Sequence, residues 1–446
     1  MSRTSAENTR SNMKWWQLSL FGVGCTIGTG FFLGSSIGIR TAGPSVLIAF
    51  ILAAIGTYFV FDSLSKMTAA DPEKGGFRTY AKKAYGRWAG FSSGWVYWCA
   101  EMLIMGSQLT ALAIFSRFWF PNIPLWVFAV GYALLGLLVL LIGIKVLNSV
   151  ENILGIIKIA AIVMFIVVAL LAIFGLFETN PQTEVPNTLN DWFPNGVTGL
   201  WASFIYAFYA FGGIEILALM ATRLRNPEEA PKSGKIMLLV LTTIYLLSIG
   251  LAVTMVASHH FSPEKSPFVT ALNQYHLAFI PHLFNTVLII AGFSTMAASL
   301  FAVTSILVTL AEDHDAPRFF AKKGKLKVPL PALGLTIAGL TTSIVFALLM
   351  PGRIYEYITT AAGLMLLYNW LFIVFFAPKL VRFTRYGHFK RYTAIVLILL
   401  AVVGTMLNEE IRPGFFVSLL FVVVISIVTL FRERMFSMKK RVPNPS

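Results

Sequence analysis

Apolar residues run along this chain in stretches of membrane-spanning length, parted by short polar connections. The stretches fall near 16–37, 43–65, 88–117, 123–143, 150–175, 196–221, 235–258, 281–311, 331–350, 354–377, 392–407 and 413–431. The pattern predicts an all-α polytopic membrane protein of about twelve transmembrane helices. The polar start, Met1 to Lys14, leads into the first span without a small-residue cleavage site, so that span is expected to be kept.

The connections alternate in charge. One side carries Arg3, Arg10 and Lys14, then the basic residues of 66–87, Lys145, 223–235, 318–327, 379–391 and 432–441. The other has only Arg40, Arg117, Lys265, Arg353 and Arg412, with the acidic loop of Glu178, Glu184 and Asp191. The positive-inside rule then places both termini in the cytoplasm of a cell-membrane protein. Topology thus accounts for the net charge of +15, and no basic stripe for nucleic acid is seen. The two cysteines, Cys25 and Cys99, sit inside apolar runs and support neither a disulfide framework nor a thiolate metal site. His259, His260 and His276 fall in outer loops without metal-ligand spacing and are expected to be solvated. No nucleophile–base pair or metal cluster stands at membrane depth, so neither an enzyme nor a bound cofactor is expected.

Six glycines lie between Gly22 and Gly38. Each costs a helix interior roughly 1 kcal/mol relative to alanine, and the tightest pair flanks Thr29. Two readings follow from this stretch alone. Gly24 to Gly28, and Gly30 to Gly34 to Gly38, keep the small-xxx-small spacing of close helix packing. Alternatively the helix breaks there, and the amides of Thr29, Gly30 and Phe31 begin a second half-helix suited to an anion such as a carboxylate. The sixth span favours the break, because it too is interrupted at its middle, by Gly212-Gly213 with Glu215 two residues on. Five crossings separate the first and sixth spans, so two sets of five would be related by inversion, with a binding site between the paired breaks. The expected division is a tail 1–14, repeats 15–195 and 196–390, two added helices in 391–431 and a tail 432–446.

Three ionisable residues stand inside spans, where a charge costs about 2.5–3.5 kcal/mol on insertion scales. Glu215 either exchanges a proton or caps the amides around Gly212-Gly213. Lys158, about two turns into the fifth span, is either buried or snorkels outward. Glu101, mid-way along the third, could bind a cationic substrate, tune a proton path, or pair with Tyr97 or Gln108. Tyr209 and Phe208 suit a lid over a ligand, though aromatic residues in a span also serve packing.

Several motifs occur in order: Gly28-Thr29-Gly30-Phe31-Phe32-Leu33-Gly34, Gly43-Pro44, Pro72-Glu73-Lys74-Gly75-Gly76-Phe77 with Tyr80-Ala81, Gly94-Trp95-Val96-Tyr97-Trp98, Phe211-Gly212-Gly213-Ile214-Glu215, Arg225-Asn226-Pro227, and Ala311-Glu312-Asp313 to Ala316-Pro317. Over its whole length the chain resembles the permeases of the amino acid-polyamine-organocation superfamily, bacterial amino acid transporter branch. The resemblance implies a leucine-transporter-like fold of five plus five inverted spans with two added, and proton-coupled uptake of amino acids. A zwitterion would place its carboxylate on the Thr29-Gly30 amides and its ammonium on carbonyls freed near Phe208, Ala210 and Gly212. The resemblance also assigns Lys158 to proton coupling, in the place where sodium-coupled relatives hold a cation, with Gly24, Cys25 and Ser299 as expected neighbours. The Gly212-Gly213 pair and apolar Ile27, Met105 and Phe208 lean towards a neutral aliphatic substrate. A cationic one, an exchanger and a permease-fold nutrient sensor stay as alternatives. The chain departs from the family pattern at Lys66-Met67, at Arg223 and Arg225, and at Ser305, which bears on gate pairings at the basic-loop end.

Overall fold

In a computed structural model, the structure describes residues 13–73, 76–142, 144–176, 186–221, 224–275, 279–322, 329–349 and 353–441. Lys74, Gly75, Glu178, Glu184, Arg223, His276 and the basic run 323–327 lie outside the described residues. Among the described residues the regular structure is helical, apart from one bridge between Met13 and Leu224. The helices are α1 (Trp15–Thr26), α2 (Ser35–Ala42), α3 (Val46–Ala70), α4 (Gly76–Tyr85), α5 (Arg87–Arg117), α6 (Leu125–Ile142), α7 (Ile144–Ile173), α8 (Leu189–Trp192) and α9 (Gly196–Ala210). They continue as α10 (Ile214–Ala221), α11 (Ala230–Met255), α12 (Pro267–Gln274), α13 (Ile280–Glu312), α14 (Leu330–Leu349), α15 (Ile354–Leu380), α16 (Arg385–Leu407) and α17 (Arg412–Arg441).

Nine helical stretches among the described residues are long and apolar enough to cross a membrane, and two shorter apolar ones are Leu125–Leu141 and Leu330–Phe346. One of the nine, Gly30–Ala70, joins the second half of the first span to the whole of the second. With α1 as the missing half, the set matches the twelve expected spans. Spans one and six are each split, into α1 and α2 and into α9 and α10.

The packing carries the inverted repeat. Exchange the first five spans for the second five, and the neighbour relations map onto themselves. The contact of α1 with α7 becomes that of α9 with α15; α5 against α15 becomes α13 against α7; α7 against α11 becomes α15 against α3. The pairs α5 with α13, and α3 with α11, are their own images. Helices α16 and α17 stand outside this exchange, against α3 and α9 and against α5 and α15.

Some elements differ from the hydropathy reading. The eleventh span begins at Arg385 and not near 392, because its first two turns find partners for their charges. Lys390 lies 3.5 Å from Asp62, and the Arg391 Nε donates to the Val374 carbonyl at 3.0 Å. Both residues are buried. Three connections also carry short helices, α4, α8 and α12, which no apolar run announces.

At the basic-loop end, Lys66 pairs with Asp62 at 2.7 Å, so the departure at this position is met within its own helix. The buried Arg78 of α4 reaches Asp313 and Asp315 beyond α13, and Arg432 of α17 pairs with Asp315 at 2.5 Å. Burial holds the Arg78 guanidinium below its ordinary range, partly offset by the charge of Asp315.

Candidate functional site

The first break is made where helical bonding stops and restarts. The last amide of α1 to bond back is that of Ile27, to Val23, and Ile27 itself is extended, with φ −68° and ψ 105°. The chain re-enters helix at once, as the Phe31 and Phe32 amides both donate to the Gly28 carbonyl, at 3.1 and 3.0 Å. Gly28 is therefore the cap of a new helix that opens with a π turn, Gly30–Gly34. The Thr29 and Gly30 amides stand ahead of the first bonded one, where helix geometry supplies no partner. The Tyr355 hydroxyl fixes the segment from the other side by donating to the Thr29 carbonyl at 3.0 Å.

The α1 end presents carbonyls instead. Lys158 is fully buried, and its Nζ donates to the Gly24 carbonyl at 3.1 Å. Glycine brings it there, because a Cβ on Gly24 would lie 3.0 Å from the Gly155 Cα, so α1 and α7 touch backbone to backbone one turn from the lysine. The glycine spacing thus serves both of its readings, packing at Gly24 and a break at Gly28. An ammonium at the C-terminal end of a half-helix also matches the sign of its dipole.

The second break is built differently. The Gly213 amide donates to the Glu215 Oε2 at 3.2 Å, the Trp370 indole donates to Oε1, and the Ile216 amide returns to the Gly213 carbonyl at 3.1 Å. Gly213 has φ +112°, a conformation that side-chain-bearing residues rarely adopt. Of the carbonyls at the end of α9, that of Phe208 accepts from the Phe211 amide, and that of Ala210 accepts from the Tyr245 hydroxyl at 3.0 Å.

Between the breaks lies a cavity of about 80 Å³. Among the expected residues, Gly28, Thr29, Gly30, Tyr209, Gly212, Glu101 and Ser299 line it. A Cβ on Gly30 would come within 2.8 Å of the Tyr209 ring, so this glycine is required by the close approach of that ring. Ile27, Phe208 and Ala210 are buried but are not in the lining. Phe208 turns towards α3 and α15, its ring crowding the Gly56 position and standing 6.1 Å from that of Trp370. Met105 faces away as well, into a cluster with Ala129, Ala133, Leu300 and Leu340. Lys158 and Glu215 stand behind the wall, each on the backbone of its own break. Ser299 is beside Glu101, whose carboxylate also faces the Tyr97 hydroxyl. His259 and His260 are exposed in the connection between α11 and α12, and no cluster of metal-ligating side chains occurs among the described residues.

Sequence reasoning missed part of the lining. Thr26, Thr295, Ile104 and Ile216 complete the wall, and Gln108 enters as a lining residue instead of a partner for Glu101. The spacing of seven between Glu101 and Gln108, two turns on one helix face, was the available signal. The side-chain oxygens of Thr26, Thr29 and Gln108 are buried with no hydrogen-bond partner in the protein. Unpartnered buried polar atoms are costly, about 1–3 kcal/mol each, and here three face one small cavity beside two uncommitted amides. Such a wall offers hydrogen-bond donors and acceptors to a polar group.

Comparison with known proteins agrees with this geometry. The family profile described as Amino acid permease matches residues 17–407. The chain is 55% identical over 446 residues to an uncharacterized transporter, YcgH, of Bacillus subtilis, covering all of both chains. It is 29% identical to the aromatic amino acid transport protein AroP of Corynebacterium glutamicum, over 84% of this chain and 82% of that one. Among solved structures it is similar to a manganese transporter mutant from Eremococcus coleocola, with a TM-score of 0.59 at 13% identity, over 96% of this chain and 99% of that one, a likeness of fold. Twelve spans, two broken helices packed as an inverted pair and a full-length sequence match together place this multi-pass membrane protein in the amino acid permease family.

Proposed function

We propose that the protein is a proton-coupled importer of a neutral amino acid across the cell membrane, with its basic loops and both termini in the cytoplasm. The observation that carries this reading is the central cavity, where the Thr29 and Gly30 amides precede the first bonded amide of the new helix and the side-chain oxygens of Thr26, Thr29 and Gln108 have no partner. The substrate carboxylate takes the amides, and its ammonium takes the side-chain oxygens. The carbonyl of Gly212 remains a further candidate for the ammonium, whereas those of Phe208 and Ala210 are already bonded. The side chain lies against Tyr209, Ile104, Ile216, Ala298 and Ala302, a wall without a cation.

Coupling rests on Lys158. Protonated, its ammonium draws the end of α1 against α7; on losing its proton it loses the attraction to the half-helix dipole, and α1 is free to swing towards the cytoplasm. Glu215 acts as a gate at the second break if it exchanges a proton there, and as a cap if it does not. In this reading the repeats 15–195 and 196–390 move relative to each other around the cavity.

Of the residues that favour an aliphatic substrate, Gly212 and Gly213 line the cavity, whereas Ile27, Met105 and Phe208 do not. A second reading, an aromatic substrate, draws on the relative AroP and on the Tyr209 ring at the wall. Uptake into proteoliposomes, with labelled substrate competed by each of the twenty amino acids, tests both. Competition by leucine, valine and alanine supports the first, competition by phenylalanine, tyrosine and tryptophan the second. Competition by lysine and arginine alone would overturn both in favour of a cationic substrate held at Glu101.

A further inference from the structure

A second cavity of about 170 Å³ lies at the end opposite the basic loops, between α5, α13, α15 and the segment leading into α12. It is separated from the central cavity by Tyr355, which lines the outer one and whose hydroxyl holds the Thr29 carbonyl at the wall of the inner one. Its walls are apolar at Ile114, Phe115, Phe118 and Val269 and carry both signs of charge. Besides the Tyr355 hydroxyl, two of its polar groups are committed: Arg117 to the Pro121 carbonyl at 3.2 Å, and Asn285 to the Phe115 carbonyl at 2.9 Å.

The other polar groups are not satisfied in this way. Glu356 is buried, with a side chain 6% exposed, and its carboxylate meets Arg40 only at 3.8 Å, while Arg40 stands closer to Glu410, at 3.2 Å. A carboxylate so placed favours a second cation with N–H donors. Ser266 is 1% exposed and its hydroxyl has no hydrogen-bond partner, although it occupies the cap position of α12, where a serine side chain ordinarily bonds its own helix. That hydroxyl, the amides that follow Pro267 at the start of α12 and the exposed Lys265 can take an anion within the same cavity, with Glu264 exposed at the edge.

We propose that this outer cavity is a loading site for a zwitterionic α-amino acid, which sets its ammonium on Glu356 and its carboxylate on Ser266 and Lys265 before passing Tyr355. The proposal rests on the import reading above for its direction, but binding at the outer cavity stands without it. An anion alone would leave Glu356 with only the long contact to Arg40 and the nearby charge of Arg353, and an amine alone would leave Ser266 and Lys265 unused. The apolar wall takes the side chain. When an ammonium sits on Glu356, the exposed Arg40 keeps Glu410 as its partner.

The test uses the full chain carrying Ile114→Cys, labelled from outside with a membrane-impermeant thiol reagent, with the chain lacking that substitution as the background. Pro121→Cys, on the exposed loop edge of the same cavity, serves as an independent reporter. L-leucine and L-phenylalanine should slow labelling, and should still do so with Gly30→Leu, which closes the central cavity. L-leucinamide and N-acetyl-L-leucine should not. Glu356→Gln should weaken protection roughly tenfold or more, as expected for loss of a charged hydrogen-bond acceptor, and Ser266→Ala by a smaller factor. Absence of protection in the Gly30→Leu background, or protection unchanged by Glu356→Gln, would overturn the outer site. Uptake by the chain with Gly30 intact would then still support import, whereas protection without uptake would retain the outer site and remove the import reading.

Discussion

The two broken helices are related by the inversion of the fold, yet one is open and the other is closed on itself. At the first, Lys158 reads the carbonyl end of α1, and the amides that begin the next half-helix face the cavity. At the second, the amide end of α10 is taken by Glu215, which is held in turn by Trp370, and the carbonyl end of α9 is taken by Tyr245. A basic side chain stands at a half-helix C-terminus and an acidic one at an N-terminus, each of the sign the dipole favours. The comparison teaches that symmetry of backbone does not give symmetry of bonding: the first break leaves its amides ahead of the helix bonding, whereas the second is closed by side chains.

The largest effect should come from filling the open break. Gly30→Leu drives a side chain into the Tyr209 ring and should abolish substrate binding while the protein still inserts and folds, read by equilibrium binding to detergent-purified protein. The matching change at the closed break, Gly213→Ala, forces a residue into φ +112° at a cost of about 1–3 kcal/mol. It should lower thermal stability and leave affinity nearly intact. Equal loss of affinity in both variants would erase the distinction between the breaks.

Next comes Glu215→Gln. The amide can accept only one of the two bonds that the carboxylate accepts, and it turns an NH2 towards the donor of the other, costing about 1–3 kcal/mol in thermal unfolding. An unchanged pH profile of uptake would make Glu215 a brace alone; a shifted profile would make it a gate. A comparable cost attends Gly155→Ala, whose Cβ would stand 3.2 Å from the Gly24 Cα, since overpacking typically costs 1–3 kcal/mol. By pushing α1 off α7 it should also raise the accessibility of Cys25 to a thiol reagent from the basic-loop side.

The smallest effect lies in the outer connection, away from both breaks. Asp191 accepts the Thr188 and Asn187 amides, at 2.8 and 3.0 Å, and these bonds hold its carboxyl below the ordinary carboxylate range. A depressed folded value stabilises above the unfolded one and is lost as pH falls through the folded one, so the cap of α8 should fail only in acid. Asp191→Asn should change hydrogen exchange of 187–193 locally and leave uptake unaltered.

Much of the fold was legible because hydrophobic runs and charge alternation are read one span at a time. The open break was legible too, since Gly28 and Gly30 crowd one helix interior. What escaped was long-range. Trp370 as the partner of Glu215 and Tyr355 on the Thr29 carbonyl come from α15, more than 150 residues away from the first and 300 from the second. The directions of Phe208 and Met105 depend on which neighbours surround an all-apolar span, where periodicity carries no signal. The early start of α16 was hidden because Lys390 and Arg391 are polar by type and buried by pairing.

The central claim is that Lys158 couples the open break to protons, and the direct measurement is uphill uptake into proteoliposomes in sodium-free buffer under an inward proton gradient. The account predicts accumulation by the wild type that collapses with a protonophore. It predicts none by Lys158→Ala, which keeps exchange of labelled for unlabelled substrate, and a stalled cycle in Lys158→Arg, which stays charged. Accumulation by Lys158→Ala at the wild-type level, or a strict need for sodium, would contradict it.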